Sequence, residues 1–185
     1  EDCESLDNIN LDSTYALGRR AFANCKSLSF VDITALRNAG EATFINCTNL
    51  KTIKNGKYSN FSDRMFKNSG LTTLTYYADR IPDNCFENCD SLTNVLIENS
   101  LVYVGNKAFY DCDNLSSAIF SENAGSEFIY KEAFASCELL QTIVLPNSDV
   151  YLEEGIFNEC SCLISVTFQK NTYISCSRHS CKSEF

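Results

Sequence analysis

The chain has 185 residues, of which 44% are hydrophobic and 21% are charged, a composition that indicates a globular domain rather than a disordered segment. Its formal charge of −9 argues against nucleic acid as a partner, because phosphate binding needs clustered lysine and arginine. No window approaches about 18 consecutive apolar residues, so no membrane span is predicted, and the N-terminus lacks the pattern of a signal peptide.

The block AFANCKSL at residues 21–28 is the first complete copy of a repeated motif. Further copies follow at residues 43–50, 85–92, 108–115, 133–140 and 156–163, with a shortened copy at 65–71 and the tail of another at 3–6. One position is phenylalanine in every copy that contains it: Phe22, Phe44, Phe66, Phe86, Phe109, Phe134 and Phe157. A period of 21–25 residues is typical of a solenoid, and the start in mid-repeat predicts that this is part of a longer array.

Each repeat is predicted to contain one strand, one connecting arm and one turn. The strand follows the leucine that ends the motif, where apolar residues alternate with polar ones, as in Leu92, Val95 and Ile97. The arm leads to a single helical or 3₁₀ turn around Phe-x-x-Cys. Stacked repeats would give about eight turns with a parallel sheet along one face. We expect residues 1–168 to form this array, and residues 169–185 to be a degenerate last repeat or C-terminal cap.

These motifs resemble the BspA-like subclass of leucine-rich repeats, whose unit is similar to LxxIxIPxxVxxIGxxAFxxCxxL. The resemblance covers roughly residues 3–170 and rests above all on the Ala-Phe-x-x-Cys-x-x-Leu block. It implies a horseshoe-like leucine-rich-repeat solenoid. It also implies a protein of a bacterium or parasitic protist that is exposed at the cell surface, where several family members act as adhesins.

Ten of the eleven cysteines fall into two groups, and the eleventh, Cys85, stands just before Phe86 and is expected to be another core residue. The cysteines at the repeated position of the motif are expected to be small core residues, since one copy has a serine, Ser69, at this position. This group comprises Cys3, Cys25, Cys47, Cys89, Cys112, Cys137 and Cys160. For Cys162, Cys176 and Cys181, near the C-terminus, three interpretations are open. They could form a disulfide that caps the solenoid, they could be free thiols, or they could join Cys160 and His179 in a zinc site.

The sequence offers little support for catalysis. The only histidine is His179, so no other imidazole could activate a serine or cysteine nucleophile. No glycine-rich phosphate loop is present, and no pair of carboxylates recurs in register. We therefore expect a protein that is not an enzyme and that has neither cofactor nor metal.

The best candidate binding residues lie on the exposed face of the predicted sheet. In the alternating strands, Leu96, Ile119 and Val144 occupy one outward position and should form an apolar stripe, although β-branched residues also suit sheet surfaces in general. The predicted partner-binding residues are Phe30, Lys54, Thr75, Leu96, Ile119, Val144 and Thr167. Among three Asn-x-Ser/Thr sequences, Asn60 is the best candidate for glycosylation in a secreted eukaryotic protein.

These observations predict a binding module that is located at the cell surface or secreted. Its expected partners are proteins of the host matrix, of host cells or of microbial surfaces. The alternative is a cytoplasmic protein-interaction scaffold in which all cysteines are reduced. Counting thiols with and without reductant would help to separate the two.

Overall fold

The computed structural model describes residues 1–98, 103–121, 127–145, 149–168 and 174–176, with only the backbone described for residues 127 and 174–176. Within these ranges the chain forms short strands, and all their pairings are parallel. In chain order they are β1 (Ala16–Leu17), β2 (Phe30–Asp32), β3 (Asn38–Ala39), β4 (Thr52–Lys54), β5 (Thr73–Tyr76), β6 (Arg80–Ile81), β7 (Asn94–Ile97), β8 (Tyr103–Val104), β9 (Ser117–Phe120), β10 (Glu127–Ile129), β11 (Thr142–Leu145), β12 (Val150–Leu152), β13 (Ser165–Phe168) and β14 (Ile174–Cys176).

The first ladder of strands is the one that the leucine pattern predicts. Strands β5, β7, β9, β11 and β13 form a five-stranded parallel sheet, and β2 pairs with β4 in a separate two-stranded sheet. Along β5, Leu74 and Tyr76 are buried while Thr73 and Thr75 are exposed. The alternation of core and surface residues therefore follows the period of two that an extended strand imposes.

A second ladder runs along the coil where the sequence predicted only a connecting arm. Strands β6, β8, β10, β12 and β14 form another five-stranded parallel sheet, and β1 pairs with β3. Their inward residues Ile81, Val104 and Ile129 are fully buried. The core is thus enclosed by two ladders, the parallel sheet that the sequence predicts on one face and a second sheet in place of the predicted connecting arms.

The phenylalanines of the repeated motif form a continuous stack inside the coil. Successive ring centroids from Phe22 to Phe134 lie 5.1–5.7 Å apart, and neighbouring rings are within 8° of parallel. These distances are close to the spacing of about 4.8 Å between paired strands. One turn of the coil therefore adds one ring to the stack.

The turns around Phe-x-x-Cys are not helical in the described residues, which corrects the sequence prediction. The backbone has a positive φ at Arg20, two residues before Phe22, and at Asn24, two residues after it. The same two positions have a positive φ in every later copy of the motif. L-residues rarely adopt this conformation, and it cannot continue a right-handed helix. The N–H of Phe22 donates to the carbonyl of Thr43 in the next turn, so the backbone is bonded between turns instead.

The coil makes about six turns rather than the eight predicted. Each ladder contains seven strands within the described residues, and seven strands are separated by six steps of the coil. Of the eight copies counted in the sequence, the N-terminal one was expected to place Leu6 and Ile9 on a strand but has none, and the remaining seven strands are separated by six steps. The structure leaves both residues only partly buried and outside any strand.

Asn55 marks an interruption of the first ladder between β4 and β5. Its buried side chain occupies a position that is apolar in other repeats. The amide nitrogen donates to the carbonyl of Thr75 at 2.8 Å, and the amide oxygen accepts from the N–H of Tyr77 at 3.2 Å. One side chain thus takes over two hydrogen bonds that strand pairing would otherwise make.

Candidate binding surface

The predicted apolar stripe is continuous on the outer face of the first ladder. Leu96 lies directly opposite Ile119, and Ile119 lies opposite Val144. Ile119 is 41% exposed, whereas Leu96 and Val144 are half-buried. Exposed Thr75 and Thr167 continue the row at its two ends, opposite Leu96 and Val144. These five residues thus lie in one row, and their role in binding stays a prediction.

A polar row borders the stripe on the same face. The hydroxyl of Ser117 donates to the amide oxygen of Asn94 at 2.7 Å, and the hydroxyls of Ser165 and Thr142 lie 3.4 Å apart. These side chains hold one another in place across neighbouring strands. The surface thus combines an apolar centre with an ordered polar border.

Phe30 and Lys54 lie apart from this row, on the two-stranded sheet before the Asn55 interruption. Phe30 is 45% exposed and stands opposite Thr52. Lys54 Nζ is 2.7 Å from Asp32 Oδ2 on the neighbouring strand. This hydrogen bond lowers the pKa of the Asp32 carboxyl to about 2, helped by the backbone and hydroxyl of Thr34. The charge of Lys54 is therefore largely balanced within the chain.

The repeated cysteines are part of the interior, as packing residues. From Cys25 to Cys137 they are completely buried, while Cys3 is exposed and Cys160 is partly exposed. Several thiols donate to the carbonyl oxygen of the phenylalanine one turn earlier, as Cys112 does to Phe86 at 3.2 Å. Because burial raises the pKa of Cys112 well above its ordinary value, this thiol stays protonated.

The cysteines proposed for a cap remain a prediction. Cys162 is exposed and not disulfide-bonded within the described residues. The side chain of Cys176 and the whole of Cys181 lie outside the described residues, as does His179. The backbone of β14 pairs in register with β12, with Cys176 opposite Leu152.

Asn60 differs from the other two candidate glycosylation sites, Asn46 and Asn114, in the hydrogen bonding of its side chain. It is exposed, and its amide makes no hydrogen bond within the described part of the chain. In contrast, the amide nitrogens of Asn46 and Asn114 donate to Asn24 Oδ1 at 2.7 Å and to the Asp90 carbonyl at 2.6 Å. Glycosylation of Asn60 would therefore break no hydrogen bond of this kind. Whether Asn60 is glycosylated stays a prediction.

An aromatic patch on the second ladder was missed by the sequence analysis. We define it as Tyr103, Phe128, Tyr130 and Tyr151. Phe128 stands opposite Tyr103 on one side and Tyr151 on the other. Three members of the patch directly precede an inward residue of this ladder, namely Tyr103, Phe128 and Tyr151. The patch could therefore have been found if the connecting arms had been recognised as strands.

The described residues contain no group of three or more histidine, cysteine, aspartate or glutamate side chains arranged to hold a metal ion. Nor do they include a helix long and apolar enough to cross a membrane. The tail residues named in the zinc alternative are not covered by this statement, because their side chains lie outside the described ranges.

Comparison with known proteins relates the chain to bacterial repeat proteins. No curated protein matches it in sequence. It is similar to the crystal structure of a T. pallidum leucine-rich repeat protein, with 25% identity and a TM-score of 0.64, over 80% of this chain and 71% of that one. A leucine-rich cell surface protein from Faecalibacterium prausnitzii A2-165 shows 18% identity and a TM-score of 0.38, over 91% of this chain and 66% of that one.

A leucine-rich repeat protein from Bacteroides ovatus ATCC 8483 shows 17% identity and a TM-score of 0.43, over 98% of this chain and 72% of that one. The family model for the BspA type leucine-rich repeat region matches residues 1–80 and 79–181, with six copies. This match spans nearly the whole sequence and agrees with the observed stack of turns. The chain therefore belongs to the BspA-type leucine-rich repeat family.

Proposed function

We propose that this chain is a non-enzymatic binding module of an adhesin-type protein, located at the cell surface or secreted. The observation that carries the proposal is the in-register row of Leu96, Ile119 and Val144 on the outer face of the first ladder. Solvent-facing apolar residues that are contiguous across strands often mark interaction sites. The expected partners are proteins of the host matrix, of host cells or of microbial surfaces.

The composition of this face suits a protein partner. Protein interfaces combine an apolar centre with a polar rim, and a few central residues contribute most of the affinity. Here the stripe supplies the centre, and the hydrogen-bonded row through Asn94 and Ser117 supplies part of the rim. With paired strands about 4.8 Å apart, the row from Thr75 to Thr167 spans roughly 19 Å. This length suits the central contact of an interface.

The proposal is tested by screening the folded chain for binding to host-matrix proteins and intact cell surfaces. For each partner found, the dissociation constant is then measured for Leu96→Glu and for Ile119→Lys. We expect each charge to weaken binding by about tenfold or more, because it must be desolvated at the centre of the contact.

Leu139→Glu is the matched control, because Leu139 is a 45% exposed leucine in a turn, away from the strands. It should leave binding unchanged. If the stripe variants fold and bind as the unmodified chain does, the first ladder is not the binding face. If the chain binds nothing in the panel, the adhesin assignment is contradicted.

A further inference from the structure

The aromatic patch faces a different side of the coil from the apolar stripe. Both ladders direct their buried residues into the common core, so their outward rows lie on separate faces. Phe128 is 42% exposed, and the other three rings of the patch are half-buried. The patch is therefore a second accessible surface, independent of the one assigned above.

The rings of the patch are splayed rather than stacked. Phe128 and Tyr151 have centroids 5.7 Å apart and planes inclined by 46°, and Tyr103 and Tyr130 are 4.7 Å apart and inclined by 40°. In the core, by contrast, Phe44 and Phe66 are inclined by only 4°. Two neighbouring rings that are inclined in this way do not cover each other's faces completely. Part of each ring face therefore remains accessible to a ligand.

The chain already places cations against aromatic rings in this region. The guanidinium carbon of Arg80 lies 4.8 Å from the centroid of Tyr103, at one end of the patch. Outside the patch, in the turn that follows β8, Lys107 Nζ lies 4.6 Å from the centroid of Tyr110. No cation of the described residues lies over Phe128 or Tyr151, at the other end. These two rings are thus available to a cation from outside.

The charge around the patch favours such a ligand. Acidic residues stand next to strands of the second ladder, before them at Asp79 and Asp149 and after them at Asp83, Glu153 and Glu154. Lys131 is within 3.8 Å of Glu154, so its charge is partly balanced. With a formal charge of −9 on the whole chain, the surface attracts basic segments and repels acidic ones.

We propose that the aromatic patch binds a basic peptide segment of a protein partner, with a lysine or arginine side chain over Phe128 and Tyr151. Ring faces attract cations, and the attraction increases when the pair is partly removed from water. The acidic residues beside the strands attract the basic segment, and the two rings determine where its cation binds. This proposal goes beyond the function assigned to the first ladder and does not depend on it.

The test uses capped hexa-arginine and hexalysine peptides as probes, with hexaglutamate and a glycine-serine hexapeptide for comparison. Calorimetric titration of the whole chain at low and at physiological salt should show binding of the two basic peptides alone, weaker at the higher salt. Phe128→Ser combined with Tyr151→Ser should weaken this binding by about tenfold, because both ring faces are lost.

Matched controls separate ring recognition from general attraction to an acidic chain. Tyr15→Ser combined with Tyr58→Ser removes two tyrosines that are 64% and 68% exposed elsewhere on the chain, and should leave the affinity unchanged. Ile119→Lys on the first ladder should have at most a small electrostatic effect. If the serine variant loses its fold, Phe128→Leu combined with Tyr151→Leu keeps the apolar bulk and should still weaken binding.

The proposal is overturned if the folded patch variants bind the basic peptides as tightly as the unmodified chain does. It is equally overturned if hexaglutamate or the neutral peptide binds with the same affinity. A loss of affinity in the Tyr15 and Tyr58 control as large as in the patch variant would also reject it.

Discussion

The thiol of Cys89 donates a hydrogen bond to the carbonyl oxygen of Phe66, one turn earlier in the coil, at 3.3 Å. Cys89 is completely buried, and burial raises the pKa of its thiol to about 12. The same kind of contact joins Cys47 to Phe22 and Cys112 to Phe86. The repeated cysteine therefore contributes a weak donor to the stacking of turns, besides filling space.

We predict that the buried thiols resist modification in the native protein. The reactive form is the thiolate, which a raised pKa suppresses, and burial also blocks access to the sulfur. Treatment with a thiol reagent followed by peptide mapping should show Cys89 and Cys112 reacting about a hundredfold more slowly than exposed Cys3 and Cys162. In denaturant all four should react alike, and rapid native labelling of Cys112 would contradict the burial.

Stability should decrease at alkaline pH because of the same thiols. The pKa of Cys47 and of Cys89 is about 12 in the folded chain, compared with an ordinary value of 9.0. In the unfolded chain these thiols lose their protons first, so the free energy of unfolding falls as the pH rises from about 9 towards 12. Below about pH 9 the contribution is fully present. Urea unfolding at about pH 7 and about pH 10 measures the difference.

The control for this prediction is the double variant Cys47→Ala and Cys89→Ala. It should be less stable at neutral pH, because it leaves small cavities, yet lose less stability than the unmodified chain when the pH is raised. Equal losses in the two proteins would mean that the thiols do not control the alkaline transition.

The sequence predicted the core better than it predicted the path of the backbone. Residues such as Leu74 and Phe86 recur in strict register, and burial is the direct cause of that pattern. The second ladder left almost no such pattern, because β6 and β8 are two residues long and each buries only one side chain. Alternation cannot be recognised in so short a segment.

The turns were misread for a different physical reason. A spacing of three residues between Phe86 and Cys89 fits one turn of a helix as well as it fits the observed turn. What decides between them is the hydrogen bonding between turns, which apolar spacing does not report. The informative signal was asparagine two residues after phenylalanine, as at Asn24 and Asn46, because asparagine tolerates positive φ.

The candidate site was partly predictable for similar reasons. A period of two along the longer strands of the first ladder determines which residues face outward, so the row through Leu96 and Ile119 could be named from the sequence. The aromatic patch could not be named without the second ladder. Its rings on neighbouring strands, Tyr103, Phe128 and Tyr151, are separated by more than twenty residues along the chain, and only parallel pairing brings them together.

The phenylalanine stack should be most sensitive to truncation in its interior. Phe109→Ala is expected to lower the free energy of unfolding by about 3–5 kcal/mol, because Phe109 is fully buried between Phe86 and Phe134. Phe22→Ala should cost clearly less, since Phe22 is only partly buried and, among the described residues, stacks on Phe44 alone. Urea unfolding followed by circular dichroism compares the two, and equal losses would contradict the role assigned to the stack.

Two glycines at the same position of successive turns should differ in how much stability they lose on replacement by alanine. A Cβ atom on Gly40 would lie 2.2 Å from the backbone nitrogen of Arg19 and 2.6 Å from its Cα, whereas a Cβ on Gly18 would have no atom within 4 Å. Because backbone atoms of the neighbouring turn cannot move independently, Gly40→Ala should destabilise the fold by about 1–3 kcal/mol. Gly18→Ala should change stability by less than about 0.5 kcal/mol. Thermal unfolding of the two variants gives the comparison, and a Gly40→Ala protein as stable as Gly18→Ala would contradict the close approach of these turns.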